Sequence, residues 1–163
     1  MKLFSAISGL LLMLFMFSIQ GGLTSCKKET VYIKDTVFTE SLLTAHAWKM
    51  RELRGVLEGT PVYYLRGGSG NTLNFDNEFV TFNSDKTGNL VDGAGGSHLI
   101  SHWELTTTDR TTLVLTVQNA GTITSVLTWD NIRFKNGSIY YDDYYHDNYA
   151  DQDFHGQEIR ESK

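Results

Sequence analysis

The stretch Asn131-Ile132-Arg133-Phe134-Lys135-Asn136-Gly137-Ser138-Ile139-Tyr140-Tyr141 decides the fold. Asn136-Gly137 sits between two runs rich in β-branched and aromatic residues. Asn and Gly both tolerate the positive φ that a two-residue hairpin turn demands, so the stretch reads as two antiparallel strands joined tightly. Outward from it the pattern repeats. Asn119-Ala120-Gly121 joins a second pair of runs, and Thr107 to Thr111 joins another. Asp85-Lys86-Thr87-Gly88 joins a further pair, with Gly88 suited to a left-handed position.

The runs alternate in polarity. Leu113, Leu115 and Val117 share one face, as do Ile123, Ser125, Leu127 and Trp129. Ser101, Trp103 and Leu105 share a face turned away from His102 and Glu104. Period two with one apolar side describes a sheet that is wet on one face. Eight strands are expected, near 48–56, 60–66, 78–83, 88–92, 98–106, 112–118, 122–134 and 138–145. The fold class is therefore all-β. Eight strands joined in series close into an up-and-down antiparallel barrel, which removes exposed edges. Ahead of them, Thr39 to Ala45 reads as a short helix. Thr39 can cap it, Glu40 lies in the first turn where the helix dipole favours an acid, and Leu42 and Leu43 face the core.

The chain has 163 residues, and its first 25 do not read as part of the fold. Lys2 gives a positive start and Leu3 to Ile19 is a nearly unbroken apolar run, the organisation of a secretory signal. Leu23-Thr24-Ser25-Cys26 resembles the lipobox of bacterial lipoproteins, which implies cleavage before Cys26 and lipid on its sulfur. Cys26 is the one cysteine in the chain. A lone cysteine in an exported protein calls for a purpose, and lipidation supplies it. Residues 1–25 are then a signal peptide, 26–38 a lipidated tether and 39–163 the barrel domain. Lys27, rather than the Asp that retains lipoproteins in the inner membrane, resembles outer-membrane sorting. Membrane attachment through Cys26 is thus one expected partnership, and the cell envelope the expected location.

The first 25 residues hold a single charge, so the remainder carries 13 basic and 19 acidic residues, a net charge of −6. The basic residues form no patch or stripe, which argues against nucleic acid as a partner.

Three short motifs carry a resemblance. Leu42-Leu43-Thr44-Ala45-His46-Ala47-Trp48, Phe82-Asn83-Ser84-Asp85-Lys86-Thr87-Gly88 and His102-Trp103-Glu104-Leu105 are similar to the opening helix and strand, the early hairpin and the mid-barrel Trp strand of lipocalin-like bacterial lipoproteins. The resemblance spans Leu42 to Ile159. It implies a barrel that binds a small, often apolar molecule in its interior.

The residues suggest several sites. Trp48, Trp103 and Trp129 can line or simply fill such a barrel, and Ser101 and Ser125 on the same faces would leave room for a ligand. Tyr140, Tyr141, Tyr144 and Tyr145 among acidic residues form a surface suited to a glycan or an envelope protein, or an exposed edge hairpin kept soluble by its acids. Asp151 and Asp153 open a partial match to a calcium loop, in which His155 and Ser162 stand where carboxylates or amides belong. His98 and His102 on one strand face are too far apart to share one zinc. Asp142 and Asp143, being adjacent on a strand, face opposite ways. Gly67-Gly68-Ser69-Gly70 lacks the Lys of a phosphate loop, and Gly96-Ser97-His98 lacks the frame of a nucleophilic serine. The sequence thus offers no cofactor motif and no catalytic one. Its expected function is binding: a small hydrophobic molecule inside the barrel or, alternatively, a glycan or protein partner on the Tyr-rich strand.

Overall fold

The computed structural model describes residues 37–119, 122–147 and 151–163. The signal segment, Cys26, most of the tether and the Ala120-Gly121 turn lie outside the described residues.

The helix α1 (Glu40–Thr44) begins where the sequence places it. Thr39 caps it by accepting a hydrogen bond from the Leu42 backbone N–H at 3.2 Å. Nine strands follow among the described residues: β1 (Ala47–Leu57), β2 (Thr60–Leu65), β3 (Phe79–Phe82), β4 (Gly88–Val91), β5 (Ser97–Thr106), β6 (Thr112–Asn119), β7 (Thr122–Lys135), β8 (Ser138–Asp147) and β9 (Gln152–Ser162). Each pairs antiparallel with its neighbours.

Eight of them, β1 and β3 to β9, close into a barrel. The closing seam is β1 against β9, from Trp48 opposite Ser162 to Leu57 opposite Phe154. The other edge of β1 is shared: residues 47–49 pair with β3 and residues 52–57 with β2. The segment 66–78 leaves β2 and returns to β3, bridging β2 to the β4–β5 connection. Arg66 holds this strap through Met50 O (2.7 Å), Asp76 O (2.7 Å) and Phe75 O (3.0 Å). The Tyr64 hydroxyl donates to Asp76 Oδ1 at 2.8 Å. Gly93 lets the strap pass: a Cβ there would lie 1.9 Å from Asn74 O.

Three local readings are corrected by the backbone. The strand β9 was not expected, because its inward residues are Phe154, Gly156, Glu158 and Arg160, which give no apolar alternation to read. It also makes β8 an interior strand rather than an edge, paired with both β7 and β9. At the β3–β4 turn the left-handed residue is Lys86 (φ 71°), not Gly88. Gly88 serves close packing instead, since a Cβ would meet Thr81 O at 2.3 Å. Asn136 and Gly137 both take positive φ, 53° and 76°, as their hairpin requires.

The barrel is solid at one end. The α1 side is plugged by a cluster that includes Leu43, Trp48, Phe82, Ile100, Trp103 and Ile139. The Trp48 indole N–H donates to Leu43 O at 2.8 Å, fastening the helix across this end. Trp103 donates to Thr87 O (2.9 Å) and Asn83 O (3.2 Å), with the Lys86 ammonium 4.1 Å above its ring. Toward the opposite end, a smaller cluster of Met50, Leu53, Val62, Tyr64 and Phe154 leaves the interior open.

Candidate functional site

The open half of the barrel encloses a cavity of about 430 Å³. Leu57, Leu73, Phe75 and Leu90 surround its mouth, together with Asp92 and His98. Leu115, Val117, Ser125, Leu127, Tyr145 and Phe154 form its walls. Trp129, Asp143, Glu158 and Arg160 lie deepest along their strands and, with Glu78 just ahead of β3, form its floor. The shape depends on Gly55 and Gly156, which face each other across the β1–β9 seam. The Phe154 ring lies against both, and a Cβ on either glycine would come within 2.6 Å of it.

The floor is charged and buried. Arg160 Nη1 meets Glu78 Oε1 at 2.6 Å, and Arg160 Nε donates to the Tyr141 hydroxyl at 2.5 Å. Tyr141 in turn donates to Glu158 Oε2. Glu78 Oε2 accepts from the Met50 N–H at 3.0 Å. The Arg160 guanidinium lies 4.9 Å from the Trp129 ring, which stacks on Tyr141 at 4.2 Å and 20°. Burial opposes the charge on Arg160, but Glu78, Tyr141 and Glu158 outweigh it and hold the guanidinium protonated. Burial also raises Asp143 well above the usual carboxylate range, reinforced by the negative charge of Glu158. Glu158 is raised as well, first by burial, while Arg160 and hydrogen bonds from Tyr141 and Asp143 pull it back. Burial thus favours the neutral form of Asp143, beside Glu158. Among the described residues, two buried side-chain atoms have no hydrogen-bond partner, Trp129 Nε1 and Asp143 Oδ1.

No protein family, curated protein or solved structure matches the chain. The reading of the site rests on this geometry.

At the mouth, His98 Nε2 lies 2.9 Å from Asp92 Oδ2. That contact, and the Gly96 N–H donating to Asp92 Oδ1 at 2.8 Å, hold the Asp92 carboxyl below its ordinary pKa.

The structure divides the residues singled out from sequence. Trp129 and Ser125 line the cavity. Trp48 and Trp103 do not; they are consumed in plugging the closed end. Ser101 does not line it either. A bulge between Ile100 and His102 turns both Ile100 and Trp103 inward and leaves Ser101 Oγ donating to Thr116 O at 3.3 Å. The same bulge separates His98, which faces the cavity, from His102, which is exposed. The four tyrosines are split by strand alternation: Tyr141 and Tyr145 point inward, whereas Tyr144 is exposed and packs on His155 at 4.4 Å, with Tyr140 on the same outward face. Asp142 and Asp143 do face opposite ways, and it is Asp143 that enters the barrel. Asp151 and Asp153 do not close a calcium loop. The residues that follow form the extended strand β9, and His146 lies 2.9 Å from Asp153 Oδ1 and 3.6 Å from Asp151 Oδ1. Among the described residues, no group of three or more His, Cys, Asp or Glu is placed to hold a metal.

Glu78, Glu158 and Arg160 escaped the sequence reading. The usable signal was a charged residue at an inward position of an otherwise alternating strand, and on β9 the strand itself was hidden.

Proposed function

We propose that the chain is a membrane-anchored lipoprotein whose barrel holds a small, largely apolar molecule. The cavity carries this reading. Its 430 Å³ falls in the range of roughly 300–1,000 Å³ typical of small-molecule sites. Its walls are mostly Leu, Val and aromatic side chains with a few polar groups gathered at one end, the composition such sites use. Transfer of apolar ligand surface from water into such walls is favourable by about 25 cal/mol per Å². A barrel of eight strands is wide enough to hold one small ligand.

Titration of the protein with a neutral, environment-sensitive apolar dye tests the binding reading. Saturable binding to one site is expected, abolished by Leu127→Trp, which fills the cavity. Binding that fails to saturate, or that survives Leu127→Trp unchanged, would count against it.

The anchor rests on Leu23-Thr24-Ser25-Cys26 and the apolar run before it. On this reading Cys26→Ser moves the protein from the membrane fraction to the soluble one and stops incorporation of labelled fatty acid. Unchanged labelling of the variant would refute lipidation at Cys26. The cell envelope, and the outer membrane within it, is the location that the Lys27 sorting position supports.

A further inference from the structure

Resting on that ligand-binding reading, we propose that the molecule held in the barrel is an uncharged amphiphile whose head group, an alcohol or a primary amide, both donates and accepts a hydrogen bond at Asp143 and Trp129. These two residues are direct partners across the β7–β8 ladder. Both line the cavity, and they are 5% and 1% exposed respectively. Each has one buried polar atom without a partner, on a floor whose other charged side chains are engaged. Buried polar atoms in folded proteins are nearly always paired, so two such atoms on residues that line one cavity call for a group that reaches both.

The chemistry of that group follows from the atoms. The indole Nε1 is a donor only, so the ligand must accept there. Asp143 Oδ1 is a carboxyl oxygen, which accepts whether or not the other oxygen carries a proton, so the ligand must donate there. A hydroxyl or an amide does both. A carboxylate has no proton to give, and it would add a negative charge beside Asp143, Glu158 and Glu78, whose one buried cation, Arg160, is already bound to Glu78 and Tyr141. An ammonium cannot accept from Trp129. A plain hydrocarbon leaves both atoms unpaired. The apolar tail then runs along Leu127 and Val117 toward the mouth.

The test uses the full chain held in lipid nanodiscs. The discs are equilibrated with an equimolar mixture of decanol, decanamide, decanoate, decylamine and decane, and ligand retained above empty discs is quantified by mass spectrometry. Decanol and decanamide are expected to be retained about tenfold over the other three. Asp143→Leu removes that preference. Asp143→Asn keeps it, because the amide presents a carbonyl oxygen at the Oδ1 position. Trp129→Phe lowers retention of the alcohol about tenfold and leaves decane unchanged. Retention of decanoate or decane equal to that of decanol would overturn the head-group assignment while leaving a ligand-binding barrel standing. Retention of none of the five, decane included, would overturn both.

Discussion

Arg160 and Glu78, 82 positions apart in the sequence, meet as a buried ion pair at 2.6 Å on the floor of the cavity. Each is under 6% exposed in its side chain, so neither charge is relieved by water. Removing one partner of such a pair strands the other, at a cost of about 3–5 kcal/mol. Arg160→Met also leaves Glu158 and Tyr141 without their cation. The expected loss is of that size, read from the midpoint and slope of guanidinium unfolding. A loss below about 1 kcal/mol would mean that the pair is solvated.

The raised pKa of Asp143 makes stability depend on pH. Its folded pKa is raised above the unfolded value of 3.8, so between those two values the folded state binds the proton more tightly. Stability is therefore highest below the unfolded value and falls as pH rises through the folded one. Unfolding midpoints in urea are expected to decline as pH rises above 3.8 and through the raised folded value, and Asp143→Asn, which has no proton to lose, is expected to decline less. Equal slopes for the two proteins would show that Asp143 is ionised throughout.

Gly55 and Gly156 are required by close packing rather than by turn geometry. A Cβ on Gly55 would sit 2.6 Å from the backbone oxygen of His155, which cannot step aside, and 2.6 Å from the Phe154 ring. Gly55→Ala is expected to cost about 1–3 kcal/mol by overpacking. A variant as stable as the parent in thermal unfolding would show that the β1–β9 seam can relax at this point.

The barrel was legible because its turns and most of its strands obey local rules. The Asn136-Gly137 hairpin and the alternation of Leu113, Leu115 and Val117 each point to the same fold. What could not be read was the place where the protein departs from an apolar interior. With Glu158 and Arg160 facing inward, β9 lacks the period-two signal, so its residues resembled an acidic tail with a broken calcium loop. The bulge at Ser101 hid a second departure: one extra residue reverses the facing of everything before it, which carried His98 into the cavity and Ser101 out of it. Both misreadings fall on the cavity, where an interior polar group and local rules conflict.

Strand alternation on β8 gives a paired prediction. Tyr144 is about half exposed and Tyr140 shares its outward face, so Tyr144→Ala is expected to change stability by less than about 0.5 kcal/mol. Tyr141 is buried with its hydroxyl between Arg160 and Glu158, so Tyr141→Phe is expected to cost about 1–3 kcal/mol from the polar partners it leaves unsatisfied. The opposite ranking in urea unfolding would contradict the facing assigned to this strand. If membrane pull-downs lose a partner with Tyr144→Ala, the outward face of β8 is a docking surface in addition.

On the proposed function, a small molecule occupies the cavity in the cell. Native mass spectrometry of the gently purified protein beside its Ser125→Phe variant tests it most directly, since Ser125 lines the cavity wall and a phenyl ring there takes up its space. A reproducible organic adduct is expected on the parent, one that leaves in organic solvent and is missing from the variant. A parent chain that is bare after every gentle preparation, or an adduct equally abundant on both proteins, would contradict it.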